Sequence, residues 1–433
     1  MEILCLIISL LTICLLMLSV IFIPKVKVGK WELQTFWMAS LIGIILLFVF
    51  GIITFGEALN GIFKEGAINP IKILLLFFSM TIMSIVLDEQ GFFSYLASVV
   101  ARKCQKSQKM LLICFYLCIS ILTVFTSNDI IVLTFTPFIC SLCKNLKINP
   151  IPYLVSEFIA ANTLSMMLVI GNPTNIYLAQ SYGVTFFEYL KVMAVPTIIS
   201  CVVALALLLL IFRKDLVKPL LASEVEEVKI KNKTMTYISL AHLIVCIIIL
   251  AISNYVDLEM YLISVILCLS LTLIIGIHAV ITKKFTVIVN SYKRVPYSLA
   301  IFIISMFIIV LSLEKYGYLS KIGNAINNFG NDIFSYGVLS FLTCNVTNNI
   351  PMSVMFSEML ISTNASKQAL YATIIGSNIG AYFTPLGALA GIMWLDLLNR
   401  NDVDLSFKRF IKLLMPISIC ILTVSLLFLA LFM

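Results

Sequence analysis

Charge is what this chain has least of. Charged side chains make up 12% of its 433 residues against 61% hydrophobic ones, and the mean hydropathy is +1.10. A soluble domain carries roughly 25% charged residues. The scarcity excludes two or three ordinary water-soluble domains and points to a polytopic membrane protein, whose length counts spans. A phosphate-binding loop is missing too: GxxxxGK followed by Ser or Thr does not occur, so ATP hydrolysis would need an associated ATPase subunit. Residues 1–23 are apolar from the start, without a basic lead-in or a small-residue cleavage site, and read as a first span rather than a removed signal peptide. Cysteine is present, 12 in all, but scattered through apolar segments without zinc spacing. Such residues read as small buried hydrophobes. Cys140-x-x-Cys143 lies away from any βαβ pattern and carries little as a redox motif. Transport rather than catalysis is expected, with no cofactor and no nucleic-acid partner.

Against this background the polar interruptions organise the chain. Residues 126–137, TSNDIIVLTFTP, place a polar group between the apolar runs 110–125 and 130–143. A span needs about 20 apolar residues, and runs of about 10–14 read as re-entrant. The expectation is a helical hairpin over 110–143 with its tip at membrane depth, where irregular backbone needs cover from protein or a water-filled cavity. Hydropathy predicts spans near 3–24, 36–56 and 70–88, and an amphipathic piece at 90–104. The hairpin follows, then a helix over 150–180 broken at 171–175 (GNPTN), and a span at 187–212. A charged loop at 213–235 contains Glu224, Glu226 and Glu227. Spans near 236–253, 259–281 and 295–313 come next, with a Gly/Asn-rich stretch at 314–332. A second hairpin at 333–362 surrounds CNVTNNIP (344–351), a helix over 367–398 breaks at 384–387, and 410–432 closes the chain.

The halves repeat. Pro70 and Gly91 match Pro296 and Gly317 at an offset of 226, and Asn128 matches Asn348 at 220. Asn162 and Gly171 match Asn378 and Gly387 at 216, Thr185-Phe186 matches Ser406-Phe407 at 221, and Pro196 matches Pro416 at 220. Chance matches would scatter; these drift only in loops. The expected organisation is a first repeat over 1–212, a cytoplasmic linker at 213–235 and a second repeat over 236–433. With both termini outside, 23 of the 29 Lys and Arg fall at cytoplasmic ends, as the positive-inside rule requires. The other six are Lys64, Lys72, Lys191, Lys315, Lys321 and Lys367. The +8 net charge is thus a topology signal. Each repeat then has five transmembrane helices and one re-entrant hairpin, an odd number of crossings, so the repeats are inverted. Interrupted segments at matching positions of inverted repeats mark a transporter's midplane site. The predicted fold is an all-α polytopic membrane protein with broken helices.

Four polar breaks should converge: 127–129, 171–175, 347–351 and 378–387. Broken helices leave N–H groups free at one end and C=O groups at the other, suited to anions and to cations respectively. Candidate substrate- or ion-binding residues are Ser127, Asn128, Asp129, Asn162, Asn172, Thr174, Asn175, Thr347, Asn348, Asn349, Asn378 and Thr384, mostly side chains that both donate and accept. Each Asn equally suits a cap for the half-helix after it, which does not exclude binding. Asn128, Asn175 and Asn348 are the candidates for Na⁺. Asp129 stands apart, because its repeat mate is Asn349. An intramembrane carboxylate is a functional-site signal, here for proton or cation coupling, with an ordinary N-cap as the alternative. Glu157 and Glu358, inside apolar arms, read either as second proton relays or as groups facing a wet crevice. Asp88 and Glu314 match across the repeat as interfacial or capping groups, and His242 and His278 read as packing residues. No Arg or Lys lies in any break. A neutral polyol-like solute or a cation is therefore easier to hold than a multiply charged anion.

At these residues the chain resembles the ion transporter superfamily, and most closely its arsenite/antimonite efflux permease branch. SND (127–129) followed by Thr136-Pro137, and TNNIP (347–351), are similar to that branch's hairpin tips. GSNIGAYFTPLGALA (376–390), then Trp394-Leu395, resembles its second broken helix; GNPTN (171–175) is shared across the superfamily. The paired SNT of dicarboxylate carriers is missing. The chain departs from the arsenite pattern at Asn378, where an acidic residue is expected, and at Ala381, where a Pro is. The resemblance implies an elevator-type transporter in the plasma membrane. Hairpins and broken helices would move against a scaffold of 36–88 and its repeat mate, which would pair two protomers as a homodimer. It implies arsenite or antimonite, as the neutral trihydroxide, held by Asn and Thr groups and exchanged for a proton on Asp129. A sodium/proton antiporter and a sodium-coupled anion symporter share the same signals. Cys344, beside the second tip, reads as a space-filler, with thiol capture of arsenic as the alternative.

Overall fold

The computed structural model describes residues 1–23, 25–28, 31–63, 69–104, 107–220, 228–253 and 258–433. Ten helices form the first half. They are α1 (Glu2–Phe22), α2 (Phe36–Val49), α3 (Phe55–Phe63), α4 (Pro70–Glu89), α5 (Phe92–Cys104), α6 (Gln108–Phe125), α7 (Asn128–Leu146), α8 (Ile151–Leu164), α9 (Pro173–Ser181) and α10 (Phe186–Ile211). A short α11 (Arg213–Leu216) precedes a second ten. These are α12 (Lys233–Ile252), α13 (Met260–Thr282), α14 (Thr286–Lys293), α15 (Ser298–Lys315), α16 (Tyr318–Asn327), α17 (Asp332–Thr347), α18 (Asn349–Ser362), α19 (Lys367–Gly380), α20 (Leu389–Arg400) and α21 (Phe407–Phe432). Nine stretches among the described residues are long and apolar enough to cross a bilayer. The chain is an all-α polytopic membrane protein, and among the described residues the one exception is a ribbon, β1 (Lys25–Val28) antiparallel to β2 (Trp31–Gln34), between α1 and α2.

Helix-by-helix correspondence carries into packing. α2 packs on α15 as α13 packs on α4; α6 packs on α8 as α17 packs on α19. α7 meets α20 as α18 meets α9, so each hairpin's second arm lies on the other repeat's broken helix. α10 and α21 pack on each other, as a self-matched pair on a twofold axis must, with Ser200 and Ser425 hydroxyls bonded between them. Local chemistry repeats as well. The matched Thr185 and Ser406 are both N-caps, accepting from Glu188 N–H and Arg409 N–H.

Three boundaries differ from the sequence reading. The hairpin arms are longer than their apolar runs: α6 has 18 residues and α7 has 19, taking in Gln108, Lys109 and 144–146. Each is long enough to count among the nine candidate spans. The hairpin is instead defined by its tip, where Asn128 bonds to Asn162 near the end of interrupted α8. The breaks themselves start earlier. α8 stops at Leu164 and α19 at Gly380, and GNPTN opens the second half-helix rather than forming the break. Both connecting loops double back. A Cβ at Gly171 would lie 2.3 Å from Ser165 O, and one at Gly387 would lie 2.2 Å from Gly380 O. That is why matched glycines stand there. Lys30, Lys64 and the loop acids Glu224, Glu226 and Glu227 lie outside the described residues.

The matched acids Asp88 and Glu314 end α4 and α15 in different surroundings. Arg294 bonds Asp88 and Glu89 at 2.7 Å each, tying α4 to the α14–α15 corner. In the other repeat the signs exchange: Lys315 bonds Glu57 of α3 at 2.7 Å and holds its carboxyl down at about 2. Asp88 is only 8% exposed. Arg294→Met therefore strands a buried charge, and should cost roughly 3–5 kcal/mol in thermal unfolding of the purified protein, with Asp88→Asn restoring part of it. A loss under about 1 kcal/mol, the scale of an exposed pair, would show that the cluster is solvated.

Candidate functional site

Capping sets the geometry of both tips. Ser127 Oγ accepts from Asp129 N–H at 3.3 Å and caps α7. In the second hairpin the cap is Asn348, at φ +75°, through Ile350 N–H at 3.4 Å. The capping position has therefore slipped by one residue between the repeats. Asn128, the mate of Asn348, is left to bond sideways: its Nδ2 donates to Asn162 Oδ1 at 3.1 Å. Its Oδ1 is buried without a hydrogen-bond partner. Asp129 comes next, half-buried in the first turn of α7, and among the described residues its carboxylate makes no hydrogen bond or ion pair.

Behind this tip the two broken helices are fastened across the repeats. Asn378 of α19 donates to Asn175 Oδ1 at 2.7 Å, and its own Oδ1 accepts from Asn172 Nδ2 and Ser165 Oγ, both at 3.0 Å. Asn175 Nδ2 returns to Ser165 O at 2.8 Å and Leu168 O at 3.3 Å, satisfying carbonyls of the first break. Asn172 also caps α9 through Thr174 N–H at 3.2 Å. Asn162 Nδ2 donates to Phe158 O at 2.8 Å. The Thr163 and Tyr382 hydroxyls meet at 3.0 Å, joining α8 to the second break. These groups are fully or almost fully buried, where an unpaired amide is costly.

The second tip closes on its own break. Asn349 N–H donates to Gly387 O at 3.0 Å and Asn348 Nδ2 to Leu386 O at 3.3 Å. Thr347 Oγ1 bonds back to Thr343 O at 3.1 Å. Thr384 bonds through Oγ1 to Asn345 Oδ1 at 2.7 Å, and Asn345 Nδ2 reaches Gly380 O at 3.1 Å. Asn345 is absent from the sequence-derived set, although it spans the whole second break. Its signal was an amide inside an apolar arm one turn before the tip. The tip faces the scaffold helices across a cavity of about 10 Å³ lined by Leu16, Phe36, Phe302, Asn348 and Leu386 among others. Cys344 is fully buried with its thiol on Phe341 O, filling space against Gly380.

The structure thus brings the predicted residues together in two linked clusters, and spends most of their amides on one another and on backbone. Acceptor capacity left over is concentrated at the first tip, in Asn128 Oδ1 and the Asp129 carboxylate. Adjacent acceptors without a cation suit a proton or a small cation. Glu157 lies apart from both clusters, bonded to Thr136.

Inverted repeats whose hairpin tips meet broken helices inside an apolar bundle define a membrane transporter. The chain belongs to the citrate transporter family CitMHS, whose family model matches residues 20–375. It is similar to the arsenical pump membrane protein of Escherichia coli K12, with 26% identity over 96% of this chain and 99% of that one. The protein of the same description from Yersinia enterocolitica is 25% identical over the same shares. An uncharacterised transporter of Mycobacterium tuberculosis is 22% identical over 80% of this chain and 83% of its own length. Among solved structures, the Alcanivorax borkumensis YdaH transporter, described as having an unusual topology, aligns with a TM-score of 0.57 at 13% identity. That alignment covers 99% of this chain and 97% of the other, and speaks to the fold alone.

Proposed function

We propose that the protein is a proton-coupled exporter of arsenite and antimonite in the plasma membrane, with both termini outside. The observation that carries this reading is the first tip: an unpaired carboxylate, Asp129, beside an unsatisfied amide oxygen, with no Lys or Arg in any break. A neutral trihydroxide needs donors and acceptors but no counter-charge, and a carboxylate without a fixed cation is free to take a proton. The full-length likeness to arsenical pump membrane proteins supports the substrate class. Residues 1–212 and 236–433 act as inverted halves about the 213–235 linker. The hairpins and broken helices move as one body against α2, α4, α13 and α15, and a homodimer forms through that scaffold. Asn128 and Asn348 offer their amides at the two tips, with Asn175, Asn378 and Thr384 holding the breaks in shape. The Asn128–Asp129 acceptor pair also supports sodium/proton exchange as a second reading.

Purified protein in liposomes, offered arsenite, Na⁺ or citrate under an imposed pH gradient, separates the readings. Arsenite movement driven by the gradient, without a Na⁺ requirement, is the expected outcome. Sodium-dependent citrate uptake with no response to arsenite would sink the proposal.

A further inference from the structure

Glu157 sits in the middle of α8 with no exposed surface. Its Oε1 accepts the Thr136 hydroxyl of α7 at 2.7 Å, while its Oε2 is buried without a hydrogen-bond partner. The indole Nε1 of Trp394, on α20, is also buried without a partner and lies beside the same carboxyl. The indole ring is fixed there by stacking on Phe158, the next residue after Glu157, at 4.6 Å and 12°. Two unpaired polar atoms therefore face each other across the seam between one repeat's broken helix and the other's.

We propose that Glu157 is a second proton-binding site, separate from the hairpin tip, and that its proton controls the grip of α8 on α20. On deprotonation the Oε2–H bond breaks, the proton passes to water, and the carboxylate keeps the electron pair. Carboxylate then accepts from both donors aimed at it, Thr136 and Trp394, and draws α20 in. Protonated Glu157 presents Trp394 with an O–H, and the indole N–H is left without an acceptor. An unpaired buried donor is costly, so α20 relaxes outward. Because α20 packs on α7 as well as against α8, the change reaches the arm that carries Asp129. Thr136 is seven residues from Asp129 on that arm, two turns and roughly 10 Å along the helix.

Other groups that titrate on the packed elements do not substitute for it. Cys140 of α7 is close enough to feel the Glu157 charge. Tyr116 of α6 and Tyr189 of α10 donate to backbone carbonyls of Cys201 and Met166. Tyr371 on α19 is packed against Tyr189, Asp396 of α20 is held by Lys25 and Arg400, and Arg409 of α21 is exposed. Among the described residues, no Lys, Arg or His is paired with Glu157.

Trp394 itself is the probe. The chain has 3 tryptophans, so Trp31→Phe with Trp37→Phe leaves one indole beside the carboxyl. Its emission should titrate with pH, since a neutral carboxyl quenches indole and a carboxylate does not. The titration should be lost in Glu157→Gln and kept in Asp129→Asn. Emission that is flat with pH, or that titrates unchanged in Glu157→Gln, overturns the proposal. Should Glu157→Gln fail to fold, Thr136→Val decides, because removing one donor must move the midpoint; an unmoved midpoint overturns the proposal. None of these readings requires arsenite to be transported, so the site and the substrate can fail independently.

Discussion

Asp129→Asn should abolish exchange driven by a pH gradient while leaving a folded protein. Folding survives because Asp129 is not the cap of α7: Ser127 holds that place, and its Oγ accepts the backbone N–H of residue 129, which Asn donates equally well. What the carboxylate adds to the helix is its charge in the first turn, typically 0.3–1 kcal/mol at an exposed end, and Asn is nearly its isostere. Coupling is lost because no other carboxyl group, and no Lys, Arg or His, stands at either tip or in either break. In the liposome assay, downhill arsenite movement without a gradient should persist in the variant and concentrative movement should stop. Asp129→Glu keeps the ionisable group one methylene displaced and should retain part of the coupling. Full coupling in Asp129→Asn would reduce the residue to a helix-end charge and leave proton coupling to Glu157.

Particular residues show how far the sequence alone could go. Duplication was legible because prolines, glycines and asparagines at turns and breaks are positions where backbone geometry leaves little choice. Asn172 and Asn348 were legible as caps, since short polar side chains before apolar runs have that use, whereas at the first tip the cap is Ser127 and not the Asp129 that the sequence offered for it. The end of α8 was not legible, because 160–165 holds no helix breaker, and the end of α19 was ambiguous, because Gly376 and Gly380 both weaken a helix and α19 runs through the first and stops at the second. The chain leaves the helix there to let Gly171 and Gly387 fold back onto carbonyls, a tertiary choice. The same holds for the amides: Asn162, Asn175 and Asn378 were read as ligand groups, and their partners come from tertiary packing, the hairpin tip for Asn162 and the other repeat for Asn175 and Asn378. The β1–β2 ribbon did carry a signal, the alternation Lys25-Val26-Lys27-Val28, which a search for spans passes over.

The closest approach to a glycine among the described residues yields the second large effect. A Cβ on Gly376 of α19 would stand 2.0 Å from Ser340 Oγ, 2.4 Å from Gly337 O and 2.9 Å from Phe341 N. One turn on, a Cβ on Gly380 would stand 2.3 Å from Cys344 Sγ and 2.9 Å from Phe341 O. Gly376-x-x-x-Gly380 thus lets α19 lie on the backbone of α17, the small-residue contact that membrane helices use where apolar burial supplies no drive. Overpacking of this kind typically costs 1–3 kcal/mol, and Gly376→Ala should sit at the top of that range because a carbonyl cannot rotate aside. Ser340→Ala should therefore fail to rescue it, whereas Cys344→Ala should partly rescue Gly380→Ala, whose nearest neighbour is a side chain. Function should fall further than stability in Gly376→Ala. Asn378 lies between the two glycines, and a helix pushed off α17 carries away the amide that joins Asn172, Ser165 and Asn175 across the repeats. Thermal unfolding of the purified variants, with arsenite movement measured well below their midpoints, separates the two effects. Wild-type stability in Gly376→Ala would mean that α17 and α19 are not in backbone contact.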